Sequence, residues 1–362
     1  MKLVVLWTHV SSYMGACWRA LGGYDDIDLR VLAWRTRLAR DHVGFDESVV
    51  AGVRGLTLLE EGDVGLEGHV QGILEREKPD VVLVAGWGTV AYRRVLSRWR
   101  YGEGKVPKVL MGMDTPWRGE WKQYVARVRL WRYLRVIDRV LVAGPDAGVY
   151  AGRLGFEPGV VESGIYAWDE SMAKRLMDLD VRERRRAFLF VGRYVSQKGV
   201  DVLLDGYRRY RERVENPWDL WCCGAGPLAQ LFRGQEGVTD YGFVQPSELP
   251  EFFGAAGIFV LPSLYEPWGV VIAEAMGCGL PVICTDRCGA GWDLVEEGRT
   301  GVMIKAGDPE GLARAMERSD GWWDSLEVMR NAARVASERF TSAAWGARVR
   351  RIAREMVYGV EG

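Results

Sequence analysis

Apolar residues in the first half of the chain come in short, unbroken runs separated by longer mixed stretches. Leu3 to Leu6, Leu29 to Ala33, Val81 to Ala85, Lys108 to Met111 and Arg139 to Val142 are rich in valine and leucine and show little alternation. That pattern predicts strands buried on both faces, as in a parallel sheet. Between them, Leu66 to Glu77, Thr89 to Trp99 and Glu120 to Ile137 have helical length and spacing, with Pro79 as a stop before the strand that follows. The first run leads into a polar, glycine-containing loop over Ser11 to Gly15. Strands alternating with helices in this way predict right-handed βαβ units.

The rhythm breaks over residues 157–186, where Pro158, Gly159 and Gly164 precede a charged stretch; this segment is predicted to be an interdomain linker. It then restarts. Ala187 to Val191, Leu220 to Cys223, Ile258 to Leu261 and Pro281 to Cys284 read as strands, and Val200 to Arg213, Pro246 to Phe253 and Val270 to Met276 as helices. After Pro309 the chain reads as helical, over Glu310 to Arg318, Ser325 to Arg339 and Ser342 to Met356. The fold class is therefore α/β, with two doubly wound Rossmann-like domains, and a ligand is expected in the cleft outside the carboxyl ends of their strands.

Length agrees: 362 residues exceed the roughly 250–300 at which one core usually splits into two. With 48% apolar and 27% charged residues the chain is no disordered segment. Lys+Arg 48 against Asp+Glu 49 gives no global attraction to nucleic acid. No apolar run approaches the roughly 18–20 residues that span a bilayer. The opening residues read as a buried strand rather than a signal peptide, so a cytoplasmic location, at most peripheral at the inner face of a membrane, is expected. Six cysteines contain no C-x-x-C pair and the three histidines, His9, His42 and His69, lie far upstream of the last five cysteines. Reduced thiols and no metal are expected. Glycine, 45 of 362, clusters after apolar runs, where strands hand over to tight loops.

Three of these hand-over points carry chemistry. Gly192-Arg193-Tyr194-Val195-Ser196-Gln197-Lys198-Gly199 follows a strand; glycine admits close backbone approach, and Arg193 and Lys198 offer a fork and a point charge to phosphoryl oxygens. The alternative is a solvated basic loop. Gly224-Ala225-Gly226-Pro227 follows the next strand and reads as a tight βα turn or as a ligand contact. In Leu261-Pro262-Ser263-Leu264-Tyr265-Glu266-Pro267-Trp268-Gly269-Val270-Val271-Ile272-Ala273-Glu274-Ala275-Met276-Gly277, Glu266 ends a strand and loop while Glu274 lies inside a helix among apolar neighbours. A carboxylate so placed needs a partner, such as a vicinal diol. The amides of Gly269 and Val270, at the helix N-terminus, can meet a diphosphate.

Glu266 and Glu274 with Gly269 between them and Glu-Ala-Met-Gly after resemble the signature of retaining glycosyltransferases of family 4, which have the two-Rossmann-domain GT-B architecture. Val191-Gly192-Arg193 through Lys198-Gly199 is similar to that family's diphosphate loop, and Gly224-Ala225-Gly226-Pro227 to its next βα turn. The resemblance implies an acceptor-binding domain over 1–165, a nucleotide-sugar domain over 166–340, and a last helix over 341–362 that returns to the first. It implies a nucleoside-diphosphate-sugar donor, with a UDP-sugar favoured, and a hydroxyl acceptor such as a glycan, lipid-linked saccharide or small glycoside. No metal or other cofactor is implied. Arg193 and Lys198 would hold the diphosphate, Glu266 the donor sugar near its C3, and Glu274 the ribose. Backbone at Phe243 and Val244 would face the base, while Gly192 belongs to the diphosphate loop and Gly224 to the next βα turn.

The opening loop, with Gly15 and with His9 or Ser11, would lie against the phosphates. Where many relatives carry a histidine after the fifth strand, this chain has Asp114. Asp114 would orient the acceptor or the donor's 6-hydroxyl, or else cap the helix after Pro116. A sugar-nucleotide 2-epimerase of the same architecture, or a non-catalytic nucleotide-sugar-binding protein, are the alternatives; the scarcity of histidine argues against the first.

Charge is locally uneven. Arg93 to Arg139 holds thirteen Lys/Arg against Glu103, Asp114, Glu120 and Asp138. Within it, over 118–139, Trp121, Val125, Val128, Trp131 and Leu134 recur at helical spacing. That stripe can pack on the first sheet with the arginines merely solvated. The charge can instead hold an anionic acceptor, or the helix can touch an anionic membrane surface.

Overall fold

The computed structural model describes residues 1–34, 47–59, 66–100, 106–178 and 184–359. His42, Glu103, Lys105 and residues 179–183 of the expected linker lie outside the described residues. The described residues form two units, each around its own parallel sheet, with one chain crossing at Ala167 to Trp168 and a return crossing at Thr341 to Ser342.

The first unit runs β1 (Lys2–His9), α1 (Ser12–Gly22), β2 (Asp28–Trp34), β3 (Leu56–Leu59), α2 (Leu66–Glu77), β4 (Val81–Ala85), α3 (Val90–Arg100), β5 (Lys108–Met113), α4 (Trp121–Arg129), α5 (Trp131–Leu134), β6 (Arg139–Val142), α6 (Gly144–Leu154) and β7 (Val161–Ser163). Its seven strands lie in the order β3-β2-β1-β4-β5-β6-β7, and the pairing is parallel throughout, with Leu3 to Leu6 of β1 opposite Val81 to Val84 of β4. Leu3, Val5, Leu6 and Val81 to Val84 have no exposed surface. Burial on both faces is what an unalternating valine and leucine run buys itself in a parallel sheet.

The second unit runs α7 (Ser171–Asp178), β8 (Ala187–Val191), α8 (Val200–Arg213), β9 (Asp219–Cys223), β10 (Val238–Asp240), α9 (Leu249–Ala255), β11 (Ile258–Leu261), α10 (Val270–Gly277), β12 (Val282–Thr285), α11 (Gly289–Leu294), β13 (Gly301–Ile304), α12 (Pro309–Asp320) and α13 (Leu326–Ser337). Its six strands, again parallel, lie in the order β10-β9-β8-β11-β12-β13. The last helix, α14 (Ser342–Tyr358), belongs to the first unit. There Trp345 is fully buried and donates its indole N–H to the Ile165 carbonyl at 2.8 Å. Asp26 accepts from Arg350 at 2.8 Å and from Arg354 at 3.2 Å, and Arg139 reaches Glu355 at 2.8 Å.

Three expectations need correction. The stretch 157–186 is not one linker: Val161–Ser163 is the last strand of the first sheet and Ser171–Asp178 is a helix. The opening loop is shorter than Ser11 to Gly15, because Ser11 caps a helix that begins at Ser12, its hydroxyl accepting from the Met14 amide at 3.4 Å. The long helix over Glu120 to Ile137 is two helices, broken at Leu130 (φ −103°, ψ 5°). The break turns Leu130, Tyr133 and Leu134 inward, and the Tyr133 hydroxyl donates to the Gly86 carbonyl at 2.7 Å. Of the stripe over 118–139, Leu134 alone is buried, so the reading in which it packs on the sheet does not hold. Trp121 is 69% exposed, Val128 73% and Trp131 48%.

All six cysteines are buried and free. Trp345→Ala is expected to cost the first unit about 3–5 kcal/mol, the usual range for truncating a buried tryptophan, read as a lower urea midpoint for unfolding. An unchanged midpoint would mean that α14 contributes nothing to that unit.

Candidate functional site

In the second sheet β8 is the strand at which chain order reverses: β9 lies on one side of it and β11 on the other. The loops leaving neighbouring strands at such a reversal diverge to opposite faces and leave a crevice at the carboxyl ends. The loop after β8 carries Gly192, Arg193 and Lys198, and the loop after β11 carries Glu266. The structure brings Lys198 and Glu266 together in an ion pair, with side chains 15% and 13% exposed. The backbone ties the same loops, since the Gln197 carbonyl accepts from the amides of Leu264 at 2.9 Å and Tyr265 at 3.2 Å. The Arg193 side chain, by contrast, has no hydrogen-bond or ion-pair partner among the described residues, and the residue is exposed.

The remaining predicted residues of this unit line the same strand ends. Gly224 sits where a Cβ would come within 1.9 Å of the Gly192 carbonyl oxygen, so glycine is needed there for two loops to touch. The Tyr194 amide donates to the Ala225 carbonyl at 2.8 Å, and the Tyr194 hydroxyl donates to Asp240 at 2.7 Å. Gly224 thus has a packing role whatever it meets in a ligand. Phe243 and Val244, both half-buried, follow β10, and the Gly224 amide donates to the neighbouring Gly242 carbonyl at 2.7 Å.

Gly269 begins α10 in the left-handed region, at φ 97°, a conformation costly for any residue with a Cβ. This turn presents the amides of Gly269 and Val270 at the helix start. Just before it, Trp268 is buried, donates its indole N–H to Asp293 at 2.7 Å and packs on Phe340 at 4.9 Å between ring centroids. Nothing in the sequence pattern had singled out Trp268 or Asp293 as the anchor of this loop.

One turn into α10, Glu274 is partly buried and its carboxyl has no hydrogen-bond partner among the described residues. Desolvation, with a contribution from the negative charge of Asp169, raises its pKa to about 7. The expected partner is therefore not supplied by a described side chain; α10, which carries Glu274, directly follows the loop that carries Glu266.

The other predicted residues, Gly15, His9, Ser11 and Asp114, lie in the first unit. Gly15 is inside α1, not in a loop. It is buried, and a Cβ there would stand 2.0 Å from the Val49 carbonyl oxygen. Its smallness serves helix packing, which corrects its placement in a loop; Val10 and Ser11 are what remains of that loop. His9 closes β1, exposed, its ring 6.3 Å from that of Trp34. Asp114 follows β5 and accepts from the Tyr166 hydroxyl at 2.6 Å, and Tyr166 in turn meets Tyr13 edge-on at 5.6 Å. It does not cap the following helix: Gln123 does the work there, accepting from the amides of Arg118 and Glu120 at 2.8 and 3.3 Å. Tyr166 lay in the expected linker, where no periodicity marks a site residue.

Residues 185–319 match the family described as glycosyl transferases group 1. An uncharacterised glycosyltransferase of Methanocaldococcus jannaschii is 27% identical over 48% of this chain and 46% of its own length. Alpha-maltose-1-phosphate synthase of Mycolicibacterium smegmatis is 34% identical over 38% of this chain and 36% of its own length. The chain therefore spans less than half the length of these two curated relatives. Two solved structures match nearly end to end. One is Anabaena HepE in complex with UDP, with a TM-score of 0.72 and 16% identity over 97% of this chain and 98% of that one. The other is sucrose-phosphate synthase of Thermosynechococcus elongatus, with a TM-score of 0.70 and 16% identity over 99% and 100%. The fold is that of the GT-B glycosyltransferases, and the segment 185–319 within it is the part that matches glycosyl transferases group 1.

The raised pKa of Glu274 has a definite consequence for stability. Its carboxyl holds a proton in the folded chain between its ordinary value of 4.5 and about 7, while the unfolded chain has released it. Stability from this group is therefore present at low pH, falls as pH rises through that window, and is flat above it. The loss over the whole window is expected to be about 3 kcal/mol. Urea midpoints of wild type against Glu274→Gln from pH 5 to 8 check this: the wild type should decline relative to the variant, and parallel curves would show the carboxyl to be ordinarily solvated.

Proposed function

We propose that the protein is a retaining hexosyltransferase that moves a sugar from a nucleoside-diphosphate-sugar, UDP-sugar favoured, to a hydroxyl of a glycan, lipid-linked saccharide or small glycoside. The observation that carries this reading is the Lys198–Glu266 pair across the strand-order reversal, with the Glu274 carboxyl, unpartnered among the described residues, on the helix that follows the Glu266 loop. The group 1 match over the same residues supports it, as do fold neighbours of which one was crystallised with UDP.

In this reading Glu274 binds the ribose hydroxyls. A carboxyl with a pKa near 7 can accept from both hydroxyls when ionised, or donate to one and accept from the other when neutral. The amides of Gly269 and Val270 and the side chains of Arg193 and Lys198 meet the diphosphate, and the backbone at Phe243 and Val244 faces the base. Glu266 holds the donor sugar. Its ion pair with Lys198 keeps the lysine ammonium beside the sugar–phosphate bond and orients the carboxylate for hydroxyls.

The acceptor oxygen attacks the anomeric carbon on the face from which the phosphate departs. The bond from that carbon to the phosphate oxygen breaks, its electrons going to the nucleoside diphosphate. The acceptor proton passes to the departing phosphate oxygen. The protein supplies alignment and stabilisation of the growing phosphate charge. Asp114, held by Tyr166, orients the acceptor hydroxyl. No metal takes part in the step as proposed.

Calorimetric titration with UDP tests the donor half. Each charge-assisted contact is worth roughly 1.5–3 kcal/mol, so Arg193→Ala, Lys198→Ala and Glu274→Ala should each weaken UDP about 10–100-fold. Wild-type affinity in all three variants would remove the assignment. Asp114→Asn should bind UDP as wild type does and lose transfer to acceptor; a variant with full transfer would exclude Asp114 from the reaction. A protein that binds UDP-sugar but neither hydrolyses nor transfers it would be a binding protein instead.

A further inference from the structure

We infer that the α4–α5 segment of the first unit is a docking surface for an anionic lipid bilayer. The inference is independent of the donor chemistry. It begins from a conflict with ordinary packing: large apolar side chains at helical spacing are normally the buried face of a helix. Here Trp121 is 69%, Tyr124 63%, Val125 39%, Val128 73% and Trp131 48% exposed. The helices instead anchor themselves to the first unit through Ala126, Leu130, Tyr133 and Leu134.

Charge decides what covers this face. Lys122, Arg127, Arg129, Arg132 and Arg135 are all exposed, and none has an ion-pair partner among the described residues. The acids of the stretch do not neutralise them. Asp138 is engaged by the Val109 amide at 2.8 Å and by Lys108 at 3.4 Å. Of the other two cations of the stretch, Arg139 pairs with Glu162 and Glu355, and Arg118 is half-buried.

The cations stand against the tryptophans themselves. Arg132 and Arg135 each lie 5.4 Å from the Trp131 ring centroid, and Lys122 lies 5.9 Å from that of Trp121. Tryptophan with arginine and lysine beside it is the composition that places an indole at headgroup depth and a cation on the lipid phosphates. An acidic protein partner would match the charge, but would leave such a broad, shallow aromatic and aliphatic surface without a complementary pocket. A bilayer interface accepts it without shape. No helix among the described residues is long and apolar enough to cross a membrane, so the contact is a lateral one, made and broken by charge.

Co-sedimentation of the full chain tests the inference, using vesicles of phosphatidylcholine alone and of phosphatidylcholine with phosphatidylglycerol, at low and high salt. The expected result is pelleting with the anionic vesicles only, reduced at least tenfold at high salt. Arg127→Gln, Arg129→Gln, Arg132→Gln and Arg135→Gln combined should abolish pelleting. Trp121→Ser with Trp131→Ser should reduce it at least tenfold while the circular dichroism spectrum stays that of wild type. Because these side chains are at the surface, folding should survive both changes. Brominated-lipid quenching that is present in wild type and lost in Trp121→Phe with Trp131→Phe would place the two indoles in the interface. Three results would overturn the inference: no pelleting at low salt, pelleting unchanged in both variants, or a wild-type dimer that Trp121→Ser disperses, which would make this face a contact between copies of the chain.

Discussion

The constraint on which the candidate site depends is the parallel pairing of β8 with β11, two strands separated in sequence by β9 and β10. That pairing places the carboxyl ends of both strands side by side, so the loops leaving them start as neighbours on either side of the crevice. One carbonyl, that of Gln197, then receives two amides from the opposite loop, and the Lys198–Glu266 ion pair closes across the same gap. A lysine and a glutamate 68 positions apart become one electrostatic unit because a sheet is ordered that way. The backbone tie matters for chemistry as well as for folding. A long lysine side chain ordinarily gives up much rotamer freedom to hold a fixed position; here its partner sits on a loop already fixed by main-chain bonds.

The two glutamates of this unit differ in what surrounds them. Glu266 has a cation against its carboxylate, so it is partnered before any ligand arrives. Glu274 is desolvated without a partner among the described residues and lies near a second acid, Asp169, and both influences favour its neutral form. A chain that keeps such a group in the apolar run Ile272 to Met276 tolerates a local loss of stability, which is the ordinary condition of a group retained for binding rather than for folding. The α10 helix makes this possible. Gly269 turns the chain into the helix at a positive φ, and Trp268, anchored by Asp293, holds the turn from behind.

Much of the architecture was legible because burial on both faces leaves an unmistakable mark. The runs Val81–Ala85, Arg139–Val142, Ala187–Val191 and Ile258–Leu261 are strands at the very residues their composition marks. The strands that were missed, β3, β7, β10 and β13, are three or four residues long and lie at or next to sheet edges. β3 and β10 are largely uncovered, so neither shows the continuous apolar run that full burial demands. In the candidate site, residue types and spacing disclosed Arg193, Lys198, Glu266 and Glu274, because charge beside glycine or inside an apolar helix is conspicuous. They did not disclose the Lys198–Glu266 pairing, the Tyr166 hydroxyl on Asp114 or the Trp268–Asp293 anchor. Each of these joins residues far apart in the chain, and local pattern carries no record of them. Gly15 reads as a loop residue because it follows the first strand, whereas it lies inside α1 and its missing Cβ makes room for the Val49 carbonyl.

The α4–α5 segment shows where periodicity stops being informative. A hydrophobic stripe says that one side of a helix avoids water, but not whether protein or lipid replaces it. Trp121, Val125, Val128 and Trp131 satisfy the helical period as well as any core-facing set. What distinguishes them is the break at Leu130, which lets a smaller group, Ala126 with Leu130, Tyr133 and Leu134, meet the sheet. The unit's core is closed by these four, and the larger residues are surplus to it. An apolar surface not needed for folding and ringed by unpaired cations has been kept outside at a cost in solubility. The same chain buries Trp18, Trp218, Trp268 and Trp345 completely, so it does not lack the means to hide a tryptophan where a core requires one.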